Sequence, residues 1–360
     1  MIDCVVWYSV NTGTGVTLGT ATSGQIAKET YIAGCVFAST QGGTGIAILN
    51  ADKVRVENTR IDSFRQGIVI SSPVLFVVHL YFGNVSVFTY DPNNESTGGE
   101  ALLIQPSGRG SVLRAVFVGC QFGSTDTQTS YTGAGIRIDQ SMTSGVIDQI
   151  RFVSCWSSGW TGNGIQINGA VTNVEILGGY YSCNGQGPNA PSTPTGIELT
   201  SSGPNVPSGV RIIGAACNNS VYSNMGSGGF LPKTQKIGVS IPAGATNIFV
   251  RHCDLTGNNT AGLSATNPTT SVQVTDCAGY NDQGAPLATT HPTKGVKFYA
   301  TSSPYNYCGP VAFYVSGGSG VTVTIDDKPT ALTFGGFTLS PGESALLDWT
   351  TAPGFLMLGK

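Results

Sequence analysis

One short phrase recurs along this chain and constrains its fold more than any other feature. It reads Gly–Ile/Val–x–Ile/Leu: Gly45-Ile46-Ala47-Ile48, Gly67-Ile68-Val69-Ile70, Gly135-Ile136-Arg137-Ile138, Gly164-Ile165-Gln166-Ile167, Gly196-Ile197-Glu198-Leu199 and Gly238-Val239-Ser240-Ile241. Weaker copies are Gly15-Val16-Thr17-Leu18, Ala101-Leu102-Leu103-Ile104 and Gly262-Leu263-Ser264-Ala265. From Gly135 onward the successive copies start 29, 32, 42 and 24 residues apart. The same apolar alternation returning at such a period marks a stacked repeat, in which each turn of chain buries equivalent side chains.

A second phrase falls between copies of the first: an alternating strand, a tight bend, then a small residue. Examples are Val116-Phe117-Val118-Gly119-Cys120, Arg151-Phe152-Val153-Ser154-Cys155, Glu175-Ile176-Leu177-Gly178-Gly179, Phe249-Val250-Arg251-His252-Cys253 and Gln273-Val274-Thr275-Asp276-Cys277. Two short strands per period with loops of variable length describe a coil whose strands stack about 4.8 Å apart. The expected fold is all-β, a right-handed parallel β-helix over residues 1–285. A β-sandwich is the alternative, but it gives alternation without this ordered two-part recurrence.

The cysteines support the register. Cys4, Cys35, Cys120, Cys155, Cys253 and Cys277 share one slot, which Thr59, Gly179 and Ala215 fill in other coils. Such a slot is small and faces inward, where buried thiols are ordinary. The total of nine cysteines is odd and no signal peptide is visible, which points to reduced thiols. Cys183, Cys217 and Cys308 lie outside the column, and no Cys/His spacing makes a zinc site. No metal and no other cofactor is expected.

Past residue 285 the pattern changes. Residues 286–292 read as a linker, with Pro286 and His291-Pro292. Residues 293–360 then carry short alternating runs, among them Val311-Ala312-Phe313-Tyr314-Val315 and Val321-Thr322-Val323-Thr324-Ile325. These predict a small antiparallel, sandwich-like C-terminal domain that caps the coil and serves oligomerisation. At the other end Asp3-Cys4 matches Gly34-Cys35, so the chain is expected to begin inside a coil. An upstream domain or protein would then precede it.

Composition narrows the function. Lys+Arg number 17 and Asp+Glu 20, so charged residues make up only 10% of the chain, against about 25% in an average soluble protein. The net charge is −3 and no basic cluster exists, which disfavours nucleic acid as a partner. The longest apolar run, near Val74 to Phe82, is interrupted by His79 and too short to insert in a membrane.

Against that sparse background one surface stands out. In the Gly–Ile–x–Ile strands the isoleucines face inward and x faces out. Stacking the copies puts Arg137, Gln166 and Glu198 in one outward column, and Asp139, Asn168 and Thr200 in the parallel column two residues on. Sugar hydroxyls need donors and acceptors of this kind. Asp139 and Glu198 are the candidate catalytic pair for general acid/base work on a glycosidic bond, with Cα atoms roughly 11–12 Å apart by strand geometry. Side chains inclined toward each other reach the roughly 6.5–9.5 Å of an inverting pair. Sugar contact without chemistry, and a surface ladder with no ligand, remain open alternatives. Arg137, Gln166 and Asn168 are the candidate hydroxyl ligands. Loops before the strands add Tyr131, Trp160 and Tyr222 as rings on which a sugar stacks, with Asn163 and Asn184 beside them. Trp156 and Tyr180, in matching slots of adjacent coils, make a second platform or a subunit contact.

The Gly–Ile–x–Ile ladder, the Gly-Cys bends and the β-rich tail together resemble the trimeric tailspike and tail-fibre proteins of bacteriophages. More loosely they resemble pectin-lyase-like β-helices. The phage resemblance implies a homotrimer and a place in the virion tail, with assembly in the host cytoplasm and action outside the cell. It also implies an upstream virion-attachment domain and recognition of host cell-surface polysaccharide, either lipopolysaccharide O-antigen or capsule. Many such proteins are endoglycosidases with Asp/Glu pairs, which makes a polysaccharide depolymerase the expected enzyme class. A non-catalytic receptor-binding fibre and a bacterial surface adhesin are the alternatives.

Overall fold

Each Gly–Ile–x–Ile phrase is a strand, and glycine opens it because successive coils approach too closely for a side chain. A Cβ on Gly164 would stand 2.6 Å from the Gly196 carbonyl oxygen, and one on Gly196 would stand 2.8 Å from that of Gly238. The isoleucines that follow are sealed in the interior, Ile136, Ile138, Ile165, Ile167 and Ile197 at 0% exposure.

The computed structural model describes residues 5–8, 13–22, 25–39, 42–89, 99–124, 133–141, 145–186, 190–219, 234–265, 271–280, 292–299, 311–330, 333–340 and 343–359. Among them the coil is built from three parallel sheets. The nine-stranded Gly–Ile sheet runs from Thr14–Leu18 to Ala261–Ala265. A second nine-stranded sheet, with the longest strands, runs from Ala27–Ala33 to Val272–Thr275. A six-stranded sheet of short strands runs from Val5–Tyr8 to Trp156–Ser157. One coil is thus Thr44–Ile48, Ala51–Glu57 and Arg60–Phe64, and the next begins at Gln66–Ile70 directly above it. Parallel pairing of every strand with its counterpart one coil on is the parallel β-helix that the repeat predicts.

The third sheet is absent from the two-strand repeat read in the sequence. Its strands have only two to five residues, and beyond Trp156 they shrink to single bridges, Trp156↔Tyr180↔Ala216↔Asp254↔Ala278. That is too short to display alternation.

The bend between the long and short strands uses one left-handed residue per coil. Asn58, Asn84, Ser154, His252 and Asp276 have φ from 46° to 52°, and glycines 34, 119, 178 and 214 take the same place. The next residue is the inward slot. Cys35, Cys120, Cys155 and Cys253 are buried there and Cys277 half-buried, all as free thiols. Each of the last four donates to a carbonyl of the coil below, as Cys155 Sγ does to Phe117 O at 3.4 Å. Cys4 lies outside the described residues. Val85 also occupies this slot, so it accepts a branched residue, contrary to the expectation of only Cys, Thr, Gly or Ala. The interior between the sheets holds a ladder of parallel rings, Phe82, Phe117 and Phe152, with centroids 4.7 and 4.9 Å apart.

The C-terminal segment forms two antiparallel sheets, as expected. One orders Lys297–Tyr299, Ser344–Asp348, Thr322–Ile325 and Lys328–Pro329; the other orders Gly335–Leu339, Val311–Ser316 and Gly354–Gly359. They enclose a separate aromatic core of Phe298, Phe313, Phe337, Trp349 and Phe355. Most of the expected linker, residues 286–291, lies outside the described residues.

Candidate functional site

The Gly–Ile sheet holds its polar residues in the register read from the sequence. Arg137 pairs with Gln166, Gln166 with Glu198 and Glu198 with Ser240; beside them Asp139 pairs with Asn168 and Asn168 with Thr200. Side-chain bonds then run up both columns. Gln166 Nε2 donates to Glu198 Oε2 at 2.8 Å, and Asn163 Nδ2 donates to the same oxygen at 2.7 Å. In the second column Thr200 Oγ1 donates to Asn168 Oδ1 at 3.0 Å, and Asn168 Nδ2 to Asp139 Oδ1 at 3.2 Å.

The two carboxylates of the candidate pair sit in opposite electrostatic situations. Glu198 is half-buried, and burial raises its carboxyl above the ordinary glutamate range although the Gln166 and Asn163 amides pull the other way. Both of those bonds fall on Oε2, which leaves Oε1 as the oxygen that would carry a proton. Asp139 is held below the ordinary range. Burial opposes its ionisation, but the Ser141 hydroxyl and amide and the Arg137 guanidinium outweigh it.

Asp139 departs from the outward position expected for a catalytic group. Its exposure is 1%, and it accepts from Arg137 Nη2 at 2.6 Å, Gln105 Nε2 at 3.3 Å, Asn168 Nδ2 at 3.2 Å and the Ser141 amide at 2.9 Å. Neither oxygen is presented to a substrate. Asp139 is therefore a buried holder of Arg137, because short Asp packs under the long guanidinium two residues before it.

Arg137 has a second carboxylate that the sequence reading missed. Glu100 Oε1 lies 3.6 Å from Arg137 Nη1, and the Glu100 side chain is only 4% exposed. It precedes the one copy without glycine, Ala101-Leu102-Leu103-Ile104, in the coil below Arg137, but the residue paired with Arg137 there is Leu103, so register alone did not bring Glu100 to it.

Three loop assignments change. Trp160 is a core residue at 1% exposure, with Nε1 donating to Phe122 O at 3.2 Å, and offers no ring to a ligand. The loop folds inward because Gly135 leaves room for the indole: a Cβ there would collide with it. Asn184 is likewise buried; it accepts from the Trp160 amide at 3.2 Å and donates to Gln235 Oε1 at 3.0 Å. Asn163 is nearly buried, but its amide reaches Glu198. Tyr131 and Tyr222 lie outside the described residues. Trp156 and Tyr180 do lie on adjacent rungs, joined by a parallel backbone bridge, with Tyr180 48% exposed.

A second polar surface lies on the long-strand sheet. Arg151 Nη2 meets Glu175 Oε2 at 2.5 Å and Arg211 Nη1 meets Glu175 Oε1 at 3.4 Å, beside Phe249 in a hollow of about 570 Å³. Its signal was present: Arg151 and Glu175 occupy the same slot of the second phrase. Here two guanidiniums share one carboxylate, so the surface keeps a positive charge.

By fold and surface chemistry, then, the chain is a parallel β-helix protein with a hydrogen-bonding face on its Gly–Ile sheet. No protein-family model and no curated protein matches its sequence. Among solved structures it is similar to the A-modules of two mannuronan C-5 epimerases of Azotobacter vinelandii. The AlgE4 module matches at 12% identity over 77% of this chain and 87% of that one, with a TM-score of 0.32. The AlgE6 module matches at 14% identity over 77% and 86%, also at 0.32.

Proposed function

We propose that this protein binds a polysaccharide along the outward face of its Gly–Ile sheet, as a receptor-binding protein of the phage tailspike or tail-fibre type. The observation that carries the reading is the continuous run Arg137, Gln166 and Glu198 on adjacent rungs, in a chain with only 10% charged residues. A linear polymer fits a linear array of amides, hydroxyls and one half-buried carboxyl. The phage resemblance supplies the remainder of the proposal: a homotrimer in the virion tail that attaches to host lipopolysaccharide or capsule, joined to an upstream attachment domain.

Cleavage is the second reading, and Glu198 favours it. A carboxyl raised by burial, with one oxygen lacking a partner among the described residues, has the properties of a general acid. Asp139 is too enclosed to activate a water, so the second group of a hydrolase would come from elsewhere.

The test is incubation with surface polysaccharides from a panel of bacteria, followed by sizing of the polymer and binding measurements. Gln166→Ala and Thr200→Val are expected to weaken binding by removing hydroxyl partners. Glu198→Gln is expected to abolish any shortening of the polymer while leaving binding within a few-fold. If all three bind and cut like the parent, the glycan lies on another face.

A further inference from the structure

We infer that the glycan taken by the Gly–Ile face is uncharged, bearing neither uronate, phosphate nor free amine along its backbone. This inference rests on the reading of that face as a polysaccharide site. It follows from which charges on the face are available and which are already committed.

The strands and their immediate flanks carry Glu100, Asp139 and Glu198 against Arg65, Arg137 and Lys236. The formal balance is zero, so net charge draws neither a polyanion nor a polycation to the face. More decisive is the state of Arg137, whose guanidinium already serves Asp139 at 2.6 Å and Glu100 at 3.6 Å. An incoming carboxylate would have to draw it off two carboxylates that are 1% and 4% exposed. Each would be left charged, buried and unpaired, a strongly unfavourable arrangement. Lys236 precedes the Ser240 rung by four residues, roughly 13 Å of strand, and lies at the end of the face, as does Arg65, just ahead of the strand Gln66–Ile70.

An amine fares no better. Asp139 has both oxygens engaged by Arg137, Gln105, Asn168 and Ser141. Glu100 is enclosed, and among the described residues of the face Glu198 is the one reachable carboxylate. It offers one open oxygen, Oε1, because Oε2 already holds the Gln166 and Asn163 amides, so an ammonium would give up its water shell for a single contact with a half-buried group. What remains at the surface is a set of neutral groups: the Gln166 and Asn168 amides, the Thr200 and Ser240 hydroxyls and Glu198 Oε1. These bond to hydroxyls in both directions.

The test is an array of bacterial O-polysaccharides and capsules of known composition, sorted into uncharged, acidic and amine-bearing groups, probed with the full chain and its Gln166→Ala variant. The expected result is binding confined to uncharged polymers, weakened in Gln166→Ala, and changing less than about twofold from about 50 to about 500 mM NaCl. Binding to an acidic or amine-bearing polymer that falls about tenfold with salt and is weakened by Gln166→Ala would overturn the inference. An array with no bound polymer, or one where Gln166→Ala binds like the parent, overturns instead the underlying placement of a glycan on this face.

Discussion

Replacing Arg137 with methionine keeps the length of the stem and removes the charge that Glu100 and Asp139 share. The two carboxylates are 3% and 1% exposed. Removing one partner of a buried ion pair costs about 3–5 kcal/mol. The guanidinium is itself 37% exposed, so water offsets part of the loss and about 3 kcal/mol is the working figure. The sign with pH is fixed by Asp139. Its carboxyl is held below the ordinary value although burial opposes ionisation. A carboxyl depressed in this way stabilises the fold above its unfolded value, near 3.9, and loses that contribution as the pH falls through the folded value. Without Arg137 the carboxyl moves up and protonates earlier. The gap between parent and variant is therefore widest at neutral pH and closes in acid. A stacked fold opens region by region, so the assay is hydrogen exchange across Ile136–Gln140, paired with urea unfolding at pH 7 and near pH 4. A variant within about 0.5 kcal/mol of the parent at pH 7, or a gap that ignores pH, would refute the buried-pair argument.

Other predictions follow from single contacts. Trp160→Ala should destabilise by about 3–5 kcal/mol as a core truncation; a variant that melts like the parent would contradict its burial. Gly196→Ala should cost about 1–3 kcal/mol, because the added Cβ meets backbone oxygens of Tyr181 and Gly238 at 2.6 and 2.8 Å; unchanged urea midpoints would show that the coils can part. Glu198 has a raised carboxyl, so the parent should lose stability as pH rises from the unfolded value of about 4.3 through the folded value. Glu198→Gln lacks that slope and should melt higher at pH 7; equal melting from pH 4 to 7 would remove the raised value. Alkylation of the native protein should reach half-buried Cys277 before Cys120, Cys155, Cys183, Cys217 and Cys253, all fully enclosed; mass spectrometry that found Cys155 modified first would count against the column.

The sequence made the stacking legible because stacking is periodic. Isoleucines at fixed offsets from a glycine define a rung wherever they occur, and rungs so defined placed Arg137, Gln166 and Glu198 in one column without coordinates. Depth was not legible in the same way. Asp139 and Glu198 alternate identically with their neighbours, yet one is sealed beneath an arginine and the other is half-open, because cover comes from side chains one coil away. Trp160 misled for a related reason: its turn looks like any polar loop, and only the space left by Gly135 turns the indole inward. The long strands hid a further device. Lys53, His79, Arg114, Gln149 and Asn173 have φ between 52° and 58° in consecutive coils, a bulge that breaks the alternation and shifts the inward positions to Ala51, Val54 and Val56.

The tapering of the short-strand sheet has a mechanical consequence. Backbone bonds between stacked coils point along the long axis of the stack, so tension applied at its two ends passes through the coils in series, and the whole can bear no more than its weakest junction. Up to Trp156 every junction is stitched on three sides. Beyond it the third side thins to the single bridges at Tyr180, Ala216, Asp254 and Ala278. Under load the C-terminal coils act as a fuse: they part first, one rung at a time, while the N-terminal coils keep their shape.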